Sequence, residues 1–202
     1  MADFVVTGTG RCGTAHFWRV LRRLGIEASH ETFFTASRRG FDEDDRRAYR
    51  SAPANDVSLF AAPFLADAGV ASIHLVRDPV DTVNSLLHLR LPLSCSHELC
   101  EFIRYWIEPE GDSDEEQWAD YWIKWNALCA RAASVTVRVE ALSSGEPSDD
   151  PIGAIVGSAD FLREWQGLPR TTNRLHAIQR NLVPDHVAAR LRGAGTPYGY
   201  GA

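Results

Sequence analysis

The sequence predicts an α/β protein in three layers, a central, mostly parallel sheet with helices covering both faces. Three observations carry that expectation. Short apolar, β-branched runs alternate along the chain with stretches of helical periodicity. The first run, Phe4–Thr7, is followed at once by a glycine-rich turn and a helix. Helix-start signals then recur downstream, Asp78-Pro79 being the sharpest, with Asp as N-cap and Pro in the first helical position. A chain of 202 residues buries one sizeable core, so a single domain over 1–202 is expected.

The elements follow in order. Phe4–Thr7 reads as a buried strand and Gly8–Gly13 as a turn. From Thr14 to Leu24 the residues Phe17, Trp18, Leu21 and Leu24 recur at helical spacing, and Gly25 suits the C-terminus. A short second strand fits Ile26–Ala28. Residues 41–50 form a charged helix or loop, Val57–Phe60 a strand, and Phe64–Ala68 a short helix. Ala71–Val76 is a clearer strand, ending at Arg77, and a helix runs from Pro79 to about Leu89. Another helix fits His97–Ile107. Ser113 and Glu116 form a capping box that opens a long helix to about Ala132. Trp118, Trp122 and Trp125 share one face of it, as core or as a substrate platform. Ser134–Val139 is a strand, 143–151 a loop, and short helices fit 159–166 and 184–192.

Composition narrows the function. Hydrophobic residues make up 45% and charged residues 24%, ordinary globular values. A formal net charge of −6 argues against a nucleic-acid binder, because affinity for a phosphate backbone needs a basic surface. An anionic small ligand remains compatible, since local charge decides that. Neither a secretory signal nor a membrane span is visible. The four cysteines, Cys12, Cys95, Cys100 and Cys129, follow no disulfide framework, which suits reduced thiols and a cytoplasmic location. Cys95, His97 and Cys100 fit no common zinc spacing, so no metal is expected. The oligomeric state is not legible.

Gly8-Thr-Gly-Arg-Cys-Gly13-Thr14 lies between a predicted strand and a predicted helix. Backbone amides converge in such a loop and the helix N-terminus adds positive potential, so an anion is stabilised there. The nucleoside-triphosphatase pattern has the same glycine spacing but then needs Lys and Ser/Thr. Here those places hold Thr14 and Ala15, and the cation, Arg11, sits inside the loop. That suits a phosphosulfate better than a triphosphate with Mg²⁺.

Thr9-Gly-Arg-Cys-Gly-Thr14 resembles the 5′-phosphosulfate loop of sulfotransferases dependent on 3′-phosphoadenosine-5′-phosphosulfate (PAPS), particularly bacterial and tyrosylprotein-type members. A second segment agrees. His74-Leu-Val-Arg-Asp-Pro-Val-Asp-Thr-Val-Asn-Ser85 is similar to the family's 3′-phosphate element, a strand ending in Arg with Ser eight residues later, here Arg77 and Ser85. The resemblance implies a P-loop-like sulfotransferase topology, PAPS as co-substrate, no metal, and transfer of a sulfuryl group to a hydroxyl or amine. The acceptor implied is a small molecule or glycoconjugate. Arg11 would then face the bridging oxygen, Cys12, Gly13, Thr14 and Ala15 would hold the 5′-phosphate, and Arg77 with Ser85 the 3′-phosphate. Thr172-Asn-Arg174 would supply a late cation, Arg174.

In several branches of that family a Glu about twenty residues after the loop's cation is the base. Glu31 matches and is favoured over the adjacent His30; His74 and His88 are further candidates. Alternation along a strand end predicts that only one of His30 and Glu31 faces the crevice. The chain departs from the cytosolic branch where an aromatic residue stacks on adenine, since His16 stands there, and no glycine-rich C-terminal element is evident. Two other functions compete: an atypical P-loop nucleotide kinase or hydrolase, and a non-catalytic protein that binds the product nucleotide PAP. Acceptor-pocket segments are expected in 32–60 and 90–118, which carry Phe33, Phe34, Phe60, Phe102, Tyr105 and Trp106.

Overall fold

The computed structural model describes residues 2–144, 151–169 and 181–200. Thr172, Asn173 and Arg174 therefore lie outside the described residues. Five strands, β1 (Phe4–Gly8), β2 (Ala28–His30), β3 (Asn55–Val57), β4 (Ala71–Val76) and β5 (Val135–Arg138), form one sheet in the order β2-β3-β1-β4-β5. Every pairing is parallel. The longest register joins β1 to β4, from Phe4 opposite Ala71 to Gly8 opposite Leu75.

Alternation along the strands sorts the core into two layers. Phe4, Val6, Ile73, Leu75 and Val137 pack on one face, beneath α1 (Thr14–Arg23), α7 (Val139–Ser144), α8 (Pro151–Val156) and α9 (Phe161–Gly167). Val5 and Val76 point to the other face. That face carries α3 (Leu65–Ala68), α4 (Pro79–Leu87), α5 (Glu98–Trp106), α6 (Asp114–Ala132) and α10 (Asp185–Gly195), with α2 (Glu43–Arg50) beside α3. The capping box of α6 forms as expected, Ser113 accepting from the Glu116 amide and Glu116 from that of Ser113. Trp118, Trp122 and Trp125 are all fully buried, which makes the aromatic stripe core rather than a platform. Burial of side chains this large contributes on the order of 1.5–3 kcal/mol each.

Three boundaries differ from the sequence expectation. The third strand is Asn55–Val57 instead of Val57–Phe60, because the buried polar pair Asn55 and Asp56 is fully engaged. Asn55 Oδ1 accepts from the amides of Asp3 and Phe4 at 2.8 and 3.0 Å, and its Nδ2 donates to Glu27 O at 3.1 Å. Ser58 then caps a 3-10 turn over Leu59–Phe64. The second strand is displaced from Ile26–Ala28 to Ala28–His30, pairing with β3. The helix α7 occupies residues expected to end a strand and begin a loop, and α8 occupies the segment after it.

The chain leaves β1 towards β2 and β3 on one side and returns to β4 and β5 on the other. The direction of winding therefore reverses beside β1, and in open α/β sheets the crevice outside the carboxyl ends of strands at such a point is where ligands bind. The two central strands approach closely there. A Cβ on Gly8 would lie 2.4 Å from Leu75 O and 2.5 Å from Cys12 Sγ. Neither the β4 backbone nor the buried loop can yield. Gly8→Ala is expected to destabilise the fold by about 2 kcal/mol and to lower Tm by roughly 4–8 °C. Thermal and urea unfolding measure this; an unchanged Tm would contradict the close approach.

Candidate functional site

The loop after β1 is held in an unusual backbone path. Arg11 has φ 70° and Gly13 φ 106°, both in the left-handed region. Glycine adopts this freely, whereas for Arg it costs roughly 1–2 kcal/mol. The Gly10 amide donates to Tyr121 Oη of α6 at 3.0 Å, and the Cys12 amide to Thr9 O at 3.3 Å. Gly13 is the N-cap of α1 and brings no side chain to its first amides. Those amides keep their donor capacity and partial positive charge.

Arg77 and Ser85 meet this loop directly. Arg77 Nη1 donates to Arg11 O at 3.2 Å, and Arg11 Nε donates to Ser85 Oγ at 2.9 Å. Asp78 caps α4 as expected, so Arg77 stands at the junction of β4 and that helix. Arg11, Cys12, Gly13 and Arg77 line a cleft of about 220 Å³, closed by His16, Asp81, Val139, Glu140 and Trp165. Burial, and secondarily the nearby Arg77, lowers the pKa of Arg11. Among the described residues no carboxylate lies within ion-pair distance of Arg11, and Arg77 has only the exposed Asp81 at 3.7 Å. Glu140 is already committed, accepting from the Asp78 amide at 3.1 Å and from Tyr200 Oη. The cleft thus sets two cations beside two carboxylates, an exposed Asp81 and a Glu140 already engaged by neutral donors.

A second cleft of about 340 Å³ lies on the other side of the loop. Arg11, Gly13, Thr14, Ala15 and His16 face it, with His30, Glu31 and the leucines 59, 86 and 99. Both His30 and Glu31 line it, contrary to the expectation of only one. The reason is local: Glu31 has φ 54°, which breaks strand alternation just past β2. Asp56 enforces the turn. Its carboxylate accepts from Ser29 Oγ at 2.7 Å and from the amides of Thr32 and Phe34 at 3.3 and 2.9 Å. The Glu31 amide donates to Val57 O at 3.2 Å. Burial, then the carboxylates of Asp56 and Glu98, push the Glu31 carboxyl up to about 7. A carboxyl in that range is poised for proton transfer near neutral pH. His30 is shifted down by burial, Asp56 opposing, and its Nε2 finds no hydrogen-bond partner among the described residues.

Other candidates fall elsewhere. His74 is fully buried in β4, with Nε2 2.9 Å from Asn126 Oδ1 and Nδ1 3.2 Å from Thr136 Oγ1, and burial drives its pKa down to about 4. It is a core histidine. His88 caps the end of α4 and lines neither cleft. Cys12 is fully buried, and burial pushes its thiol up to about 12. Among the described residues no cluster of three His, Cys, Asp or Glu side chains could hold a metal ion, and no helix is long and apolar enough to cross a membrane. A roomier cleft of about 540 Å³ lies at the far end of α5, against Arg104, Tyr105 and Trp106. It gathers no comparable set of reactive groups. Phe34, Phe60 and Phe102 are core residues, so leucines and not these aromatics wall the second cleft.

Sequence reasoning missed Asp56, Glu98 and Tyr121. Asp56 sits in a polar-looking strand and Glu98 acts across space, so neither carries a local signal. Linkage gives the sign of their effect. Glu31 holds its proton more tightly folded than unfolded, about 7 against 4.5. The stabilisation this gives is complete below the unfolded value and is lost as pH rises through the folded one. Glu31→Gln is therefore expected to be more stable than the parent above pH 7, with that gain vanishing below the unfolded value, and Glu98→Gln to lower the Glu31 titration midpoint. Urea unfolding across pH and carboxyl NMR report both; identical pH–stability profiles would contradict the burial of an ionisable Glu31.

Compared with protein-family models, curated proteins and solved structures, the chain matches none of them.

Proposed function

We propose that the chain is a sulfotransferase that moves the sulfuryl group of PAPS to a hydroxyl or amine of a small acceptor. One observation carries the reading: a two-arginine cleft and a cleft holding a near-neutral carboxyl meet at a single loop, sharing Arg11 and Gly13. The fit to a bisphosphorylated nucleotide rests on charge. Arg11 and Arg77 share one half-enclosed space, the first amides of α1 add donors, and the carboxylates on its wall are an exposed Asp81 and an already hydrogen-bonded Glu140. The sheet order, with the glycine loop leaving the strand where winding reverses, supports a P-loop-like topology.

The nucleotide supplies the sulfuryl group, and the bond broken joins sulfur to the bridging oxygen of the 5′-phosphate. Arg11 and the amides of Cys12–Ala15 stabilise the negative charge that builds on that oxygen, the electrostatic contribution expected to dominate. Arg77 fixes the nucleotide through its other phosphate, a fork suited to a dianion. Ser85 acts through Arg11, whose Nε it holds at 2.9 Å. Glu31 takes the proton of the attacking hydroxyl or amine, as its raised pKa allows. His30 lies beside it as a second polar group of the acceptor cleft. The leucines 59, 86 and 99 exclude water and suit an acceptor with an apolar body.

Calorimetric titration separates this reading from its competitors. PAP is expected to bind without Mg²⁺ and more tightly than ATP with Mg²⁺; the reverse order would favour a nucleotide kinase or hydrolase. With PAPS and an acceptor panel read by mass spectrometry, Arg11→Ala should lower transfer by about 10²–10³-fold. Glu31→Gln should lower it by roughly 10²–10⁴-fold with PAP affinity kept. Full activity in Glu31→Gln would move the base to His30, and PAP binding without transfer to any acceptor would indicate a non-catalytic binder.

A further inference from the structure

Two thiols stand in contact outside the clefts. Cys95 Sγ and Cys100 Sγ are 3.3 Å apart, and both cysteines are free. Cys95 is half-buried in the turn before α5, whereas Cys100 is fully buried in the first turns of that helix. We propose that this pair is a redox-reactive dithiol, a modification site at which a hydroperoxide closes an intramolecular disulfide.

The geometry favours closure. The sulfurs need to come about 1.2 Å closer to reach bonding distance, and only Cys100 is fixed in regular helix. The turn carrying Cys95 is secured by Arg104, whose Nη1 donates to Cys95 O at 2.8 Å and also to Leu93 O. His97 is not a competing partner, since its Nδ1 accepts from the Leu99 amide. Burial and the neighbouring Cys95 push the Cys100 thiol up to about 12, Arg104 opposing. The half-exposed Cys95 is therefore the attacking group and Cys100 the resolving one.

The chemistry balances. Cys95 Sγ attacks one peroxide oxygen, the O–O bond breaks, and the departing oxygen leaves as water or alcohol with the thiol proton. Cys100 Sγ then attacks the sulfur of the sulfenic acid, the S–O bond breaks, and the hydroxyl leaves with the Cys100 proton as water. Two thiols are oxidised, and one peroxide is reduced.

The bridge would bracket Glu98 and Leu99. Leu99 walls the second cleft, and Glu98 helps to hold the Glu31 carboxyl up. Closing the disulfide tightens the start of α5 and so alters that cleft. This consequence rests on the function proposed above; the thiol chemistry does not.

The test uses the whole chain and hydrogen peroxide, followed by alkylation with N-ethylmaleimide and tryptic mass spectrometry. Residues 91–104 form one tryptic peptide with both cysteines. The expected result is that this peptide loses two hydrogens, resists alkylation even after unfolding, and recovers with dithiothreitol. The buried Cys12 and Cys129 stay reduced. Cys100→Ser should leave a sulfenic acid at Cys95 that dimedone traps. Cys95 and Cys100 both still alkylated after peroxide, or Cys95 carried on to sulfinic acid beside a free Cys100, would overturn the site. Unchanged hydrogen exchange at Glu98 and Leu99 in the bridged chain would overturn the link to the cleft.

Discussion

Everything at the crevice depends on one junction, the contact of Arg77 with the Arg11 carbonyl and of Arg11 with Ser85. It ties the loop after β1 to the start of α4, two segments that the chain order keeps far apart and the sheet order makes neighbours. Parallel pairing of β1 with β4 over five residue pairs brings them level. Gly8 permits the final approach, since a methyl group there would meet the β4 backbone. Two guanidinium groups then share a space, and burial disfavours the charge of Arg11. The pair shares its cleft with Asp81 and Glu140, and among the described residues no carboxylate lies within ion-pair distance of Arg11 itself.

A second constraint shapes the other side of the loop. Asp56 is wholly buried, and its carboxylate is satisfied by a hydroxyl and two amides of the segment after β2. Buried carboxylates persist only when so engaged. The engagement bends the chain, turns Glu31 into a left-handed conformation and sets it within reach of the same field that raises its pKa. Structural and electrostatic roles thus coincide in one residue. Backbone strain of this kind gathers at functional positions, and among the described residues Arg11 and Glu31 are two of the three non-glycine residues that show it.

Much of the fold was legible because its signals are local. Asp78-Pro79 and the Ser113–Glu116 box announce helix starts through groups a few residues apart, and both form as read. β4 was legible because the apolar Ala71, Ile73, Leu75 and Val76 fall in one short run ending at Arg77. β3 was not, since Asn55 and Asp56 look like loop residues until their partners, supplied by distant backbone, are known. The same distinction applies to the site. Arg11, Arg77 and Ser85 could be named from the resemblance of two motifs, yet the bond from Arg11 to Ser85 is a tertiary fact. Glu31 could be named, but its alignment with His30 on one cleft needed a φ that no periodicity predicts. Arg174, chosen by analogy, lies outside the described residues.

The most direct measurement is a crystal structure of the chain grown with adenosine 3′,5′-bisphosphate. Phosphate oxygens are expected within hydrogen-bond distance of the guanidinium groups of both Arg11 and Arg77, with the Glu31 carboxyl open to the acceptor side of the loop. A nucleotide bound elsewhere, or the two guanidinium groups turned out of a common cleft, would contradict it.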